Sequence, residues 1–96
     1  MSQLFSLIIM DYSIPYMNGL EVIRKANEKF LDKRVKLPKV LMMTGIEDPR
    51  LRETCFNCGL IDYYIIKPAP IEQFEEIINK VIDESLDHRP IEPPRD

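Results

Sequence analysis

Three short apolar runs, separated by longer amphipathic stretches, set the pattern of this chain. The first, LFSLIIM at residues 4–10, ends at a carboxylate, Asp11, and the second, KVLMMT at 39–44, ends at a hydroxyl. The third, IDYYII at 61–66, is rich in β-branched and aromatic residues and is followed by Lys67. Near-continuous apolar runs of this length are typical of strands in a parallel sheet that is covered on both faces.

The amphipathic stretches between these strands carry the signals of helix ends. Asn18 is a predicted N-cap, with Glu21 three residues later as its capping-box partner. Asp48 is a second predicted N-cap, because proline follows it at the first helical position. Apolar residues at helical spacing and a stop signal at Gly59 then predict three helices, at residues 19–31, at 49 to about 58, and at 71 to about 85.

The last residues of the chain differ in composition from the rest. Residues 90–96 include three prolines and hold few apolar side chains. We therefore predict one domain over residues 4–85 and a disordered, polyproline-like tail over 86–96.

The predicted order of elements is βαβαβα, which defines the fold class as α/β. Strands that alternate with helices form a parallel sheet with right-handed crossovers, here three-stranded and flanked by helices. Ligands bind such sheets at the carboxyl ends of the strands. Asp11, Thr44 and Lys67 all occupy those ends, and we expect them to share one rim of the sheet.

Composition narrows the class of protein without naming a function. The chain has 96 residues, 45% hydrophobic and 30% charged, with a net charge of −3. A scattered and slightly acidic charge argues against a nucleic-acid surface, which needs a clustered basic stripe. No apolar run is long enough to span a bilayer or to direct export, so we expect no direct membrane contact. Two cysteines without an export signal favour a reducing, cytoplasmic setting.

A carboxylate, a hydroxyl and an ammonium group that converge on one rim suit phosphoryl chemistry. The carboxylate of Asp11 can act as a nucleophile and become an aspartyl phosphate. Lys67 can pair with a phosphate oxygen as a mobile point charge. Thr44 can donate a hydrogen bond to the incoming phosphoryl oxygens, and Mg²⁺ normally neutralises part of their charge.

These residues lie in motifs that resemble the receiver domain of two-component response regulators and hybrid histidine kinases. MDYSIPYMNG resembles the phosphoacceptor loop of that family, with Asp11 as the phosphorylated aspartate. VLMMTG resembles the strand that carries the switch hydroxyl, Thr44, and CGLIDYYIIKPAP resembles the strand that ends at the family's lysine, Lys67. The loop-shaping positions implied by the same match are Pro15, Met17, Asn18, Gly19, Gly45 and Pro68, the last after a cis bond.

Tyr64 matches the family's switch aromatic, three residues before Lys67. Tyr63 and Tyr64 point to opposite faces of a strand, so one of them can be exposed to solvent. The resemblance extends from residue 4 to about residue 85. It implies a flavodoxin-like fold and a non-enzymatic phosphorelay protein, which accepts phosphate on Asp11 from a histidine kinase or a histidine phosphotransfer protein. A longer parent would resemble a hybrid kinase, with this segment on the cytoplasmic side.

The sequence departs from the family pattern at its start. The resemblance begins at the third of five strands, so the fold predicted here is a truncated receiver without the acidic pair that the family uses to hold Mg²⁺. Of the implied metal ligands, only Asp11 and the backbone carbonyl of Ser13 are present, and we expect weak Mg²⁺ binding. Strand 4–10 is then an apolar sheet edge, open to pairing with another chain.

Two other functions fit parts of the pattern. One is an interaction module, or a piece of a hybrid histidine kinase, that is not phosphorylated; the missing acidic pair favours it. The other is a phosphatase of the haloacid dehalogenase type, which also uses a strand-end Asp, a Ser or Thr and a Lys. Such enzymes need a second Asp two residues after the nucleophile, where this chain has Ser13.

The remaining chemistry-bearing residues are expected to be structural. Cys55 and Cys58 form a C-x-x-C pair, but they lie in the last turn of a predicted helix. The helix dipole lowers a thiol pKa at the N-terminus instead. Two cysteines and the distant His88 are too few for a zinc site, and His88 lies in the predicted tail.

Overall fold

The elements follow the predicted order in a computed structural model that describes the backbone of residues 6–87 and the side chains of residues 6–84. A short hairpin of two strands, β2 and β3, each two residues long, lies between the first strand and the first helix. The elements are β1 (Leu7–Asp11), β2 (Ser13–Ile14), β3 (Met17–Asn18), α1 (Gly19–Asp32), β4 (Lys39–Thr44), α2 (Pro49–Asn57), β5 (Tyr63–Ile66) and α3 (Ile71–Asp87).

The main sheet is parallel and three-stranded, in the order β1-β4-β5. Its register places Asp11 opposite Met43 and Thr44 opposite Ile66. The carboxyl ends of the three strands therefore meet at one rim, as the βαβαβα pattern predicts. This arrangement confirms the α/β class and the three-stranded parallel sheet flanked by helices.

Helices pack against both faces of the central strand β4, whose side chains alternate between the two faces. Val40 and Met42 pack with Leu20 and Ile23 of α1 and with Cys55 of α2. The neighbouring residue Leu41 packs on the opposite face, with Ile65 of β5 and with Ile77 and Val81 of α3. All three β4 side chains named here are at most 1% exposed, so β4 is the buried centre of the domain.

Both predicted helix starts have the expected capping geometry. Asn18 caps α1: its Oδ1 accepts a hydrogen bond from the Glu21 amide at 2.9 Å, and Glu21 Oε1 accepts one from the Asn18 amide at 3.1 Å. Asp48 caps α2, accepting a hydrogen bond from the Arg50 amide at 3.0 Å. Gly59 follows α2 with a φ of +81°, the left-handed conformation expected after a helix end.

The first strand is less buried and lies further along the chain than predicted. β1 begins at Leu7 and includes Asp11, while residues 4 and 5 lie outside the described residues. Among the described strands it pairs only with β4, so it is an edge strand. Ile9 on this strand is 51% exposed, and the prediction of cover on both faces is wrong for β1.

The last strand and the last helix also differ at their ends. The strand predicted at 61–66 begins at Tyr63, because the Asp62 carboxylate accepts the Val40 amide hydrogen bond at 2.9 Å. The Val40 amide thus donates to the Asp62 side chain in place of a backbone carbonyl of the neighbouring strand. α3 continues through Asp87 instead of ending near residue 85. The rest of the predicted tail, including His88, lies outside the described residues.

Polar contacts at the amino end of the sheet join α3 to the strands. The Tyr63 hydroxyl donates to Glu84 Oε1 at 3.1 Å, and Lys39 Nζ lies 3.7 Å from both Glu84 and Asp62. These ion pairs are partly exposed, so each contributes little by itself. No described helix is both long enough and apolar enough to cross a membrane.

Candidate functional site

Asp11 and Lys67 meet at the carboxyl rim of the sheet. Lys67 Nζ donates to Asp11 Oδ2 at 2.7 Å, although 56 residues separate the two in sequence. The backbone amide of Ser13 donates to the other oxygen, Asp11 Oδ1, at 3.0 Å. The side chains are 37% and 41% exposed for Asp11 and Lys67, so a molecule from solvent can reach the carboxylate.

These two donors favour the ionised carboxylate. The hydrogen bond from Lys67, followed by the one from the Ser13 amide, holds the pKa of Asp11 below its usual value of 3.8. The carboxylate is therefore an anion at neutral pH, with a fixed orientation. A deprotonated oxygen that faces solvent is the state that a nucleophile requires.

The backbone around Asp11 is tied to the neighbouring strand and to α1. The Tyr12 amide donates to the Met43 carbonyl and the Gly19 amide donates to the Tyr12 carbonyl, each at 2.7 Å. Between them, Ser13 pairs with Asn18 and Ile14 pairs with Met17 in the β2-β3 hairpin. The loop predicted here from the sequence is thus a short antiparallel ribbon held at both ends.

Gly19 permits the close approach of α1 to Asp11. A Cβ atom at residue 19 would lie 2.4 Å from the Asp11 carbonyl oxygen and 2.8 Å from Met10 Cγ. No side chain fits there without movement of the backbone that carries the carboxylate. The loop-shaping part predicted for Gly19 thus has a steric basis, whereas a Cβ at Gly45 would meet nothing within 4 Å.

Thr44 lies at the end of β4, and among the described residues its hydroxyl forms no hydrogen bond with Asp11. Its side chain is fully buried, and its hydroxyl accepts a hydrogen bond from the Ile46 amide at 3.0 Å. Its carbonyl accepts a hydrogen bond from the Lys67 amide at 2.7 Å. The backbone therefore links the threonine to the lysine. The expected cis bond precedes Pro68.

Tyr64 packs against α2 and lies beside a shallow cleft. Its ring centroid is 6.0 Å from that of Phe56, and its hydroxyl is buried without a hydrogen-bond partner among the described residues. The cleft has a volume of about 240 Å³. It is lined by Glu47, Asp48, Pro49, Arg52, Tyr64 and Ile66.

The metal ligands implied by the resemblance form only part of a site. The Asp11 carboxylate lies at the rim with both oxygens already engaged, by Lys67 and by the Ser13 amide. Among the described residues, no group of three or more His, Cys, Asp or Glu side chains could hold a metal ion. Mg²⁺ requires near-ideal octahedral oxygen coordination, and these residues alone do not fit it.

Cys55 and Cys58 are both free thiols. Cys58 Sγ donates to the Cys55 carbonyl at 3.0 Å, and Cys55 is fully buried between α2 and the sheet. Burial raises the pKa of the Cys55 thiol, which disfavours the reactive thiolate.

The sequence interpretation missed the turn that follows Asp11. Pro15 and Tyr16 are the two central residues of the β2-β3 hairpin, and Tyr16 has a φ of +73°. Proline at the first central position is a known turn signal, and the second position of a type II turn normally selects glycine or asparagine. Pro15 is therefore a signal for the turn, whereas Tyr16 is not a residue type that predicts one.

Two comparisons with known proteins agree with this geometry. Residues 1–79 match the family model of the response regulator receiver domain. A curated relative, the transcriptional regulatory protein CrdR of Helicobacter pylori, is 30% identical over 80 residues, which cover 83% of this chain. The chain spans 35% of the length of that relative.

The chain belongs to the response regulator receiver domain family. Receiver domains act in two-component and phosphorelay signalling, where they interact with histidine kinases or histidine phosphotransfer proteins, and they generally bind Mg²⁺. The resemblance inferred from the Asp11, Thr44 and Lys67 motifs is thereby confirmed at the level of the family.

Proposed function

We propose that Asp11 accepts a phosphoryl group from a phosphohistidine donor. The observation that carries this proposal is the 2.7 Å ion pair between Lys67 and a half-exposed Asp11 at the carboxyl rim of the sheet. A carboxylate oxygen attacks phosphorus, the new O–P bond forms and the P–N bond of the donor breaks. The electron pair of that bond stays on the imidazole nitrogen, which then takes up a proton.

Lys67 has a place both before and after transfer in this scheme. Before transfer it holds the carboxylate ionised. Afterwards its ammonium pairs with one oxygen of the phosphoryl group, which as a whole carries more negative charge than the carboxylate did. The 41% exposure of its side chain leaves it free to follow the charge. It acts as a positioning residue for the phosphoryl group.

Thr44 and Tyr64 form the conformational part of the proposal. Thr44 would leave the Ile46 amide, its present partner, to donate its hydroxyl proton to a phosphoryl oxygen. The buried Tyr64 hydroxyl has no partner among the described residues, and an unsatisfied group of this kind costs about 1–3 kcal/mol. A rearrangement of the β4–α2 loop that supplies an acceptor is therefore favoured, and it changes the cleft beside α2.

Mg²⁺ is part of this proposal because receiver domains generally bind it. The described residues offer one carboxylate at the rim, so we expect an added metal ion to bind weakly to this chain alone. We also propose that the chain is a phosphoacceptor and not an enzyme acting on a separate substrate.

The test is labelling of the 96-residue chain, with and without Mg²⁺, by phosphoramidate and by a phosphorylated histidine phosphotransfer protein. We expect a hydroxylamine-labile phosphate that is lost in Asp11→Asn. Asp32→Asn, an exposed carboxylate at the far end of α1, is the matched control and should be labelled like the parent. Label that persists in Asp11→Asn places the phosphate elsewhere. A folded parent that takes no label from either donor supports an interaction module instead.

A further inference from the structure

Tyr16 occupies a position that the fold itself does not explain. The residue is fully exposed, whereas the next most exposed large apolar residue described, Ile71, is 65% exposed. Its φ of +73° lies in the left-handed region, which is a genuine outlier for a bulky residue. A tyrosine here adds backbone strain and buries almost no surface in return.

A smaller residue would serve the hairpin better. Glycine enters the left-handed region without steric cost, and asparagine tolerates it. The pairs Ser13–Asn18 and Ile14–Met17 already close the ribbon on either side of the turn. Strain of this kind, kept in a place where packing does not require it, points to a function of the side chain.

The turn also lies close to the phosphoacceptor. Tyr16 follows Asp11 by five residues, so their Cα atoms lie at most about 18 Å apart even if the chain were fully extended. A protein interface of standard size covers about 800 Å² on each partner, a disc with a radius of roughly 16 Å. Because the chain turns back between Ile14 and Met17, the actual separation is shorter than this bound, which exceeds the interface radius by only about 2 Å. A donor protein centred on Asp11 is therefore within reach of the fully exposed Tyr16.

We propose that Tyr16 is a contact residue for the protein phosphodonor. Its ring packs against the donor surface beside the phosphohistidine and helps to hold that histidine over Asp11. Tyrosine is enriched among the residues that dominate protein interfaces, since it offers a large amphipathic surface at low entropic cost. Tyr16 is a positioning residue in this inference, which rests on the proposed phosphoacceptor function of Asp11.

The experiment compares a protein donor with a small one. Tyr16→Gly removes the ring and relieves the positive φ, so its folding should be unimpaired; Tyr16→Phe keeps the ring. The matched control is Leu31→Ala, which truncates an exposed side chain (62%) near the end of α1, away from the rim. Donors are phosphoramidate and whichever of a panel of histidine phosphotransfer proteins binds the parent most tightly by calorimetry.

We expect Tyr16→Gly to lose about tenfold or more in binding of the protein donor and in its transfer rate. Labelling by phosphoramidate should be unchanged, and both Tyr16→Phe and Leu31→Ala should behave like the parent. Equal loss with both donors would overturn the inference, because it would assign Tyr16 to the shape of the loop. Unchanged binding in Tyr16→Gly, or a parent that binds no protein donor, would overturn it as well.

The same data separate the two proposals. A parent that binds the protein donor but takes no phosphate from either source refutes the function proposed for Asp11, and the binding loss in Tyr16→Gly still decides the part played by Tyr16. A parent labelled at Asp11, with a Tyr16→Gly variant that binds as tightly, refutes only the inference about Tyr16.

Discussion

Replacement of Gly19 by alanine tests how closely α1 must approach Asp11. The added Cβ would lie 2.4 Å from the Asp11 carbonyl oxygen, 3.1 Å from the Asp11 carbonyl carbon and 2.8 Å from Met10 Cγ. Met10 can change its rotamer, but the Asp11 backbone is held by the β1-β4 ladder and by the adjoining Tyr12–Met43 hydrogen bond. The helix or the strand end must therefore move.

The size of the effect follows from two opposing terms. Overpacking typically costs about 1–3 kcal/mol, and a clash with backbone belongs at the upper end of that range. Alanine in place of glycine in a helix stabilises the folded state by up to about 1 kcal/mol. The net expectation is a loss of about 2 kcal/mol, which corresponds to a fall in melting temperature of about 8–16 °C for a domain of this size.

The assay is thermal and urea unfolding followed by circular dichroism. Gly45→Ala is the matched control, since a Cβ at Gly45 meets nothing within 4 Å, and its stability should stay within about 0.5 kcal/mol of the parent. Because the displaced atoms belong to Asp11, labelling by phosphoramidate should also fall in Gly19→Ala. Equal stability of Gly19→Ala and the parent would refute the steric reasoning.

Three further predictions concern ionisation and burial. Lys67→Met should raise the pKa of Asp11, measured by carboxyl-carbon NMR, because the hydrogen bond from Lys67 is the largest cause of its depression. Burial is the larger cause, and the hydrogen bond to Glu84 the next, of a Tyr63 pKa raised to about 12. Glu84→Gln should lower the pKa of Tyr63, measured from phenolate absorbance with Tyr63→Phe as the blank. Tyr64→Phe should be as stable as the parent or up to about 1 kcal/mol more stable, because it removes a buried hydroxyl that has no partner among the described residues.

The pH dependence of stability has opposite signs at the first two sites. The pKa of Asp11 is depressed in the folded state, so its contribution is present above 3.8 and is lost as the pH falls through the folded value. The pKa of Tyr63 is raised, so its contribution is present below 10 and is lost as the pH rises toward 12. An Asp11 pKa unchanged in Lys67→Met, a Tyr63 pKa unchanged in Glu84→Gln, or a clear destabilisation of Tyr64→Phe would each contradict the contacts described.

Local signals in the sequence predicted the order of elements and both helix starts. The Asn18–Glu21 capping box and the Asp48 cap involve residues only two or three positions apart, so their geometry follows from the sequence itself. The meeting of Asp11 and Lys67 was also predictable, because parallel strands bring their carboxyl ends together.

Contacts between distant residues produced the differences. The start of β5 depends on a hydrogen bond from the Val40 amide to the Asp62 side chain, across 22 residues. The exposure of Ile9 depends on which strand lies beside β1, and apolar content alone does not show it. A local contact adds one further feature: Thr44 lies at the strand end, as predicted, and its hydroxyl accepts a hydrogen bond from the Ile46 amide two residues away, which the motif does not reveal.

The Asp11–Lys67 pair and the Thr44 carbonyl together couple the site to the sheet. Lys67 contacts Asp11 through its side chain and the Thr44 carbonyl through its backbone amide. On the proposed function, a phosphoryl group at Asp11 draws the ammonium of Lys67 and the hydroxyl of Thr44 toward the same point. We expect the two strand ends that carry them to move together in that case, because a 2.7 Å backbone hydrogen bond joins them. Tyr64 lies in β5 three residues before Lys67, so we expect the change to reach the cleft beside α2 along a single strand.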